Sequence, residues 1–223
     1  MGNADTGPSA QHPPPVKKVS PRRSQTRARL IQAAYEVFAQ EGFGRSTVEQ
    51  ICERAGFTRG AFYSNFDTLD ELFLTMWEQN TEQLTAAFRA AVGAESRRPK
   101  SWPELEAYAR RLIASIPVDD HWYRVSAEFT THALRNPALK TVIVDREERI
   151  LEALLPILAD ALEAAGRRAP QPHALGRALV AVHDGTSAQC LMEPGVESVW
   201  QERADLFIQV LLSYSEPLSP ESP

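Results

Sequence analysis

Apolar side chains recur along this chain at three- and four-residue spacing, in stretches separated by glycine, proline and capping residues. Between Ser24 and Gln40, Leu30, Ala34, Val37 and Phe38 fall on one face of a helix. Gly42 stops that helix. Ser46-Thr47-Val48-Glu49 reads as a capping box opening a short second helix to Ala55, and Gly56 stands where a left-handed residue closes it. Thr58 caps a third helix, Arg59 to Asn65. Thr68-Leu69-Asp70-Glu71 is another capping box and opens a long helix to about Val92. Ser101-Trp102-Pro103-Glu104 starts a helix to about Ile116, Asp119-Asp120 precede one to about Arg135, and Asn136-Pro137 starts one to about Ala165, which Pro156 should kink. Helices from Pro172 to about Met192 and from Ser198 to about Ser215 follow, the last capped by Ser198-Val199-Trp200-Gln201. Strand signals are almost absent. The pattern predicts an all-α fold of about nine helices, three short ones and then six longer ones.

Composition changes this picture at the ends and in the charge. Residues 1–22 are rich in Pro, Gly, Ser and charge and read as a disordered basic arm; residues 216–223 read as a frayed tail. The 223-residue chain is 43% hydrophobic, enough for a core. No apolar run of membrane-spanning length and no secretory h-region occur, so no membrane partner is expected and a reducing cytoplasm is the expected compartment. Cys52 and Cys190 alone make neither a disulfide framework nor a zinc site. The net charge of −5 hides a split. Residues 1–66 hold nine Lys/Arg against five acids, or +4, and the remainder holds 15 against 24, or −9. Such asymmetry points to an anionic partner for the basic part.

The chemistry concentrates in residues 46–66, two short helices joined by Gly56-Phe57-Thr58, a turn of helix-turn-helix length. Val48, Ile51, Cys52 and Ala55 form one stripe, and Phe57, Phe62 and Phe66 complete an apolar plug. Opposite the plug stand Arg59, Gly60, Ala61, Tyr63, Ser64 and Asn65, a face without an acid. One guanidinium, two small residues and three phosphate donors are what a helix presented to a major groove needs. The stretch Thr26 to Phe73 closely resembles the DNA-binding domain of TetR-family transcriptional repressors, through Gly42-Phe43, Thr47-Val48-x-x-Ile51 and Ala55-Gly56-Phe57-Thr58-Arg59-Gly60-Ala61-Phe62-Tyr63-x-x-Phe66.

The resemblance implies roles. Arg59, Gly60 and Ala61 would face base edges. Thr47, Thr58, Tyr63 and Asn65 would contact phosphates, with Ser64 on the same face and Arg45 and the basic arm adding backbone contacts. One departure is Leu69, where the family often carries a phosphate-reaching Lys. Residues 23–83 would form the DNA-binding domain and 84–215 a regulatory domain that binds a small organic effector. The last two helices would make a homodimer that reads a palindromic operator. Trp122, Phe129, His132, His183 and Gln189 are the expected ligand-pocket residues, each of which also fits a plain core position. No catalytic, metal or cofactor motif appears. The alternative is a helical ligand-binding or enzymatic protein with a vestigial DNA-binding domain, and Leu69 is the one feature favouring it.

Overall fold

The structure, a computed structural model, describes residues 21–94 and 98–218. Lys17, Lys18 and most of the expected arm lie outside the described residues, as does the end of the tail. Among the described residues stand nine α-helices: α1 (Pro21–Glu41), α2 (Val48–Ala55), α3 (Arg59–Tyr63), α4 (Leu69–Ala94), α5 (Trp102–Ser115), α6 (Asp120–Ala133), α7 (Pro137–Ala164), α8 (Pro172–Met192) and α9 (Glu197–Ser213). A 3₁₀ turn, Phe43–Arg45, joins α1 to α2. A two-residue antiparallel pair, β1 (Arg167–Arg168) and β2 (Glu216–Pro217), ties down the chain after α9.

The helix ends follow their local chemistry, with small departures from expectation. The cap of α2 is Thr47, not Ser46. Its side chain accepts from the Gln50 N–H, and the Gln50 side chain accepts from the Thr47 N–H, so the box is shifted by one residue. Ser46 instead donates its hydroxyl to Gly42 O at 2.7 Å. Gly56 closes α2 at φ +70°. Thr68 accepts from Glu71 N–H at 3.0 Å, but Glu71 reaches back to Asp67 rather than to Thr68. Neither Ser101 nor Ser198 acts as a side-chain cap; α9 begins at Glu197. Helix α7 runs on through Pro156. The expected frayed tail is corrected at its start, because Arg168 pairs with Glu216 at 2.6 Å and Leu218 N–H donates to Gly166 O.

Two apolar cores form, and they do not divide the chain at residue 83. The first gathers Leu30, Phe38, Ile51, Phe62, Phe66 and Phe73 from α1 to α4, and also Val125 and Phe129 from α6 and Leu139 and Ile143 from α7. The second gathers Leu105 and Ile113 of α5, Leu162 of α7, Leu175 of α8 and Phe207, Ile208 and Leu211 of α9. Helix α7 therefore serves both cores, its first half the one and its second half the other. Gly176 lets α8 lie close on α7: a Cβ there would stand 2.9 Å from the Leu151 side chain.

Candidate nucleic-acid interface

Helix α3 has five residues, far too few to persist alone. It is held by its neighbours. Phe62 and Phe66 are buried beneath it, and the Thr58 hydroxyl accepts from Ala61 N–H at 3.3 Å. Arginines of α1 hold the carbonyl ends. Arg23 donates to Ser64 O at 2.9 Å and Arg27 to Asn65 O at 2.6 Å, the latter lying over the Phe66 ring. Arg29 donates to Ala55 O, at the end of α2, at 2.8 Å and lies over Phe57. A cation at a helix C-terminus is favourable, and carbonyls left there need donors. Arg54 pairs with Glu36 and Gln40. Much of the +4 in this part of the chain is thus engaged in positioning the motif. Sequence reasoning counted these charges but missed their work, because the pairing is between helices.

The outward face of α3 carries Arg59, Gly60, Tyr63 and Ser64, with Ala61 half-buried beside them. Thr47 and Thr58 are exposed at the starts of α2 and α3, and Arg45 is exposed before them, its Nε donating to Glu41 O at 2.7 Å. Two expectations are corrected. The face is not free of acid: Glu49 of α2 reaches Arg59 at 2.7 Å. Asn65 is buried, not outward. It lies past the last turn of α3, donates Nδ2 to Ala61 O at 2.8 Å, and has its Oδ1 buried without a hydrogen-bond partner. Leu69 is half-buried against the first core, so no cation reaches outward from that position.

Helix α6 lies against this module. Asp119, the cap of α6, accepts from the Tyr35 hydroxyl at 2.8 Å. Although burial opposes it, hydrogen bonds from Trp122 N–H and Tyr35 hold the Asp119 carboxyl below the usual carboxylate range. Burial and Asp119 push the Tyr35 hydroxyl well up. Glu128 accepts from Phe43 N–H at 2.6 Å, and His132 Nε2 stands 3.3 Å from Asp70.

The five expected pocket residues are not brought together. Trp122, Phe129 and His132 face the first core: Phe129 stacks on Phe73 at 3.8 Å between centroids, Trp122 stacks on the same ring, and His132 lies by Phe43. The α6 aromatics pack toward α1 and α4, and that orientation is not readable from helical spacing. On α8, Gln189 is exposed, and His183 Nδ1 stands 2.9 Å from the buried Arg203. Burial, with Arg203 beside it, pushes His183 down to about 4. Arg203 also donates to Thr186 and Ser187 hydroxyls. Two clefts lie elsewhere. One of about 200 Å³ between α7 and α8 is lined by Val144, Glu147, Glu148, Leu151, Arg177, Val180, Ala181 and Asp184. Burial and the nearby Asp184 push the Glu147 carboxyl up. The other, about 250 Å³, lies between the end of α7, the start of α8 and Leu218. No group of side chains suited to a metal stands among the described residues, and no helix is long and apolar enough to cross a membrane.

A helix-turn-helix module with an exposed second helix, carried on an all-helical body, defines a class of DNA-binding regulators. Comparison with known proteins gives the family. Residues 30–76 match the model of bacterial regulatory proteins of the tetR family, and residues 103–212 match that of the BetI-type transcriptional repressor C-terminal domain. The chain is 22% identical over 205 residues to the HTH-type transcriptional regulator YfiR of Bacillus subtilis, covering 90% of this chain and 98% of YfiR. It is 34% identical over 87 residues to the regulator SrpR of Pseudomonas putida, covering 39% of each. Among solved structures, a TetR-family regulator from Mesorhizobium loti superposes with a TM-score of 0.70 at 18% identity, covering 88% of this chain and 99% of that one. FadR of Bacillus subtilis, in complex with stearoyl-CoA, gives 0.60 at 19%, covering 83% and 97%. The chain belongs to the TetR family and is a transcriptional regulator with a helix-turn-helix DNA-binding domain.

Proposed function

We propose that the protein is a repressor that binds a palindromic operator as a homodimer and is released by a small organic effector. The observation that carries this reading is the outward face of α3, where Arg59, Tyr63 and Ser64 stand around Gly60, flanked by exposed Thr47, Thr58 and Arg45. Close approach at Gly60 and Ala61 lets Arg59 reach base edges, while the hydroxyls and Arg45 take phosphates. Buried Asn65 acts in this reading by holding the end of α3.

Repression is favoured over activation by the match to a BetI-type repressor C-terminal domain. Dimerisation through α8 and α9 is supported by the exposed Met192, Val196, Trp200, Leu206 and Leu212 on or between those helices. The effector works by population shift: it must bind the operator-competent and released arrangements with different affinity. Its candidate seat is the α7–α8 cleft, at the stretch of α7 between the two cores, where Val144 and Leu151 offer apolar walls and Glu147 and Asp184 offer polar anchors. Of the residues expected from sequence, His183 and Gln189 share helix α8 with that cleft, whereas Trp122, Phe129 and His132 act through the first core. The bound stearoyl-CoA belongs to FadR; for this chain it supports the general idea of an organic effector and no particular one.

A mobility-shift assay with the intergenic DNA beside the protein's own gene tests the reading. A retarded complex of dimer stoichiometry is expected. Purified, folded dimer that shifts no such DNA at low salt would sink it.

A further inference from the structure

The i, i+4 pair Glu128 and His132 on α6 has no place in the DNA-facing surface, yet both side chains leave α6 and touch the DNA-binding module. Glu128 Oε2 accepts the Phe43 N–H at 2.6 Å, just before the helix-turn-helix. His132 Nε2 stands 3.3 Å from Asp70, just after it. The Glu128 contact is a fitted one. Gly42 has φ +83° and ψ 149°, a conformation essentially confined to glycine. The space its side chain would fill is occupied by the Glu128 carboxylate, whose oxygens stand 2.8 and 2.9 Å from the position of a Cβ. The Phe43 ring is anchored on the other side, against Phe38, Phe73 and Phe129.

From this clasp the hydrogen bonds run on through the Gly42–Phe43 peptide to Arg45 and Ser46, the residues that lead into Thr47. Gly42 O accepts from Arg45 N–H at 3.3 Å and from the Ser46 hydroxyl at 2.7 Å. Arg45 Nε holds Glu41 O. Thr47 follows as the cap of α2. We propose that Glu128, a residue of the regulatory body, is a positioning residue for DNA binding: by clasping Phe43 N–H over Gly42 it fixes the Gly42–Thr47 loop, and so places Arg45 and Thr47 at the phosphate backbone. The idea rests on the DNA-binding reading above. It makes α6, through one carboxylate, a direct mechanical partner of the phosphate-contacting loop.

The test uses the full-length dimer and a duplex enriched from a random-sequence library by the wild-type protein. Glu128→Ala should weaken binding by about tenfold, the scale of a lost charge-assisted hydrogen bond. It should also lower the slope of log affinity against log salt by about one to two, because phosphate contacts are lost. Glu128→Gln, whose amide oxygen accepts the same N–H, should stay within about threefold of wild type with an unchanged slope. Thr47→Ala placed on Glu128→Ala should cost less than on wild type, since both act on one contact. Hydrogen exchange should quicken at Phe43 to Thr47 in Glu128→Ala and stay unchanged at Phe62 to Phe66. Glu128→Ala with wild-type affinity and slope would overturn the proposal. So would weaker binding accompanied by a lower Tm and an unchanged slope, which marks a merely structural role. If the wild type enriches no duplex, the DNA-binding reading fails instead, and the exchange data still decide whether Glu128 holds the loop.

Discussion

Arg59 is the one cation on the outward face of α3, and it is already engaged. Its guanidinium meets Glu49 at 2.7 Å, with both side chains more than half exposed, and lies 5.9 Å from the Tyr63 ring centre. An exposed pair of this kind is screened by solvent and contributes little, whereas a bidentate contact to guanine is charge-assisted and directional. In the proposed reading, DNA therefore wins the competition. Arg59→Ala should weaken operator binding by about 1–3 kcal/mol and relax specificity, as read by footprinting and by titration against single-base operator variants. Glu49→Gln should act in the opposite direction, tightening binding up to about fivefold and more strongly at low salt, by removing a competitor and a like charge to phosphate. His183 is a second residue with a readable consequence. Its ionisation is pushed from 6.5 down to about 4 by burial, with Arg203 adding repulsion. The unfolded chain thus binds this proton more readily than the folded one. Stability should be full above about pH 6.5, fall as pH drops toward about 4, and lose no more from this residue below that. The slope is at most about 1.4 kcal/mol per pH unit. Urea titrations of wild type and His183→Gln across this range isolate it; identical slopes in the two proteins would remove His183 as the cause.

At the scale of elements, the recognition helix is the least self-sufficient piece of the chain. Its five residues owe their geometry to the Thr58 cap, to buried Phe62 and Phe66, and to arginines reaching over from α1. Arg27 is the most involved, with bonds to Asn65 O and Thr75 and its guanidinium 4.1 Å from the Phe66 ring centre. Arg27→Met keeps most of the apolar stem and removes these charged hydrogen bonds. It should lower stability by about 2 kcal/mol and weaken DNA binding further through a frayed α3, measured by denaturation and by exchange at Phe62 to Phe66. The existence of α3 was legible in the sequence, because Gly56, Thr58 and the Phe62/Phe66 spacing are local signals. The outward set was legible too, apart from Asn65. That residue turned inward because it follows Phe62 by three positions and so shares the buried side of the turn rather than the side of Tyr63 and Ser64. The arginine clamps and the Glu128 clasp were not legible, since each joins residues 26 to 85 positions apart.

At the scale of the whole molecule, the cores cut across the boundary that motif reading draws. The DNA-binding module stops in sequence before α5, but its apolar core is completed by Val125, Phe129, Ala133, Leu139 and Ile143 from α6 and α7. A fragment ending at residue 95 keeps every residue of the helix-turn-helix and exposes the faces of Phe43 and Phe73 that Phe129 covers. It should lack a cooperative thermal transition, while a fragment ending at residue 150, which retains α6 and the first half of α7, should recover one. Calorimetry of the two decides; a cooperative transition in the shorter fragment would show that the module is self-contained. The same arrangement joins the C-terminal helices to the DNA-binding module. Helix α7 joins the two cores, the α7–α8 cleft lies between them, and α6 carries the contact to the Gly42–Thr47 loop.

The sequence by itself determined the helical class, the order and approximate limits of the helices, the helix-turn-helix and the identity of its outward residues apart from Asn65. All of these follow from periodicities, caps and turn residues that act within a few positions of one another. Tertiary structure decided what spacing leaves open, namely which of several apolar or charged faces meets which partner. It sent Trp122, Phe129 and His132 to the DNA-side core rather than to one pocket with His183 and Gln189. It placed Glu49 against Arg59, and set a carboxylate from α6 in the space that Gly42 leaves empty. Those pairings depend on how helices far apart in the chain cross and seal their apolar stripes, and a one-dimensional pattern carries no record of that crossing.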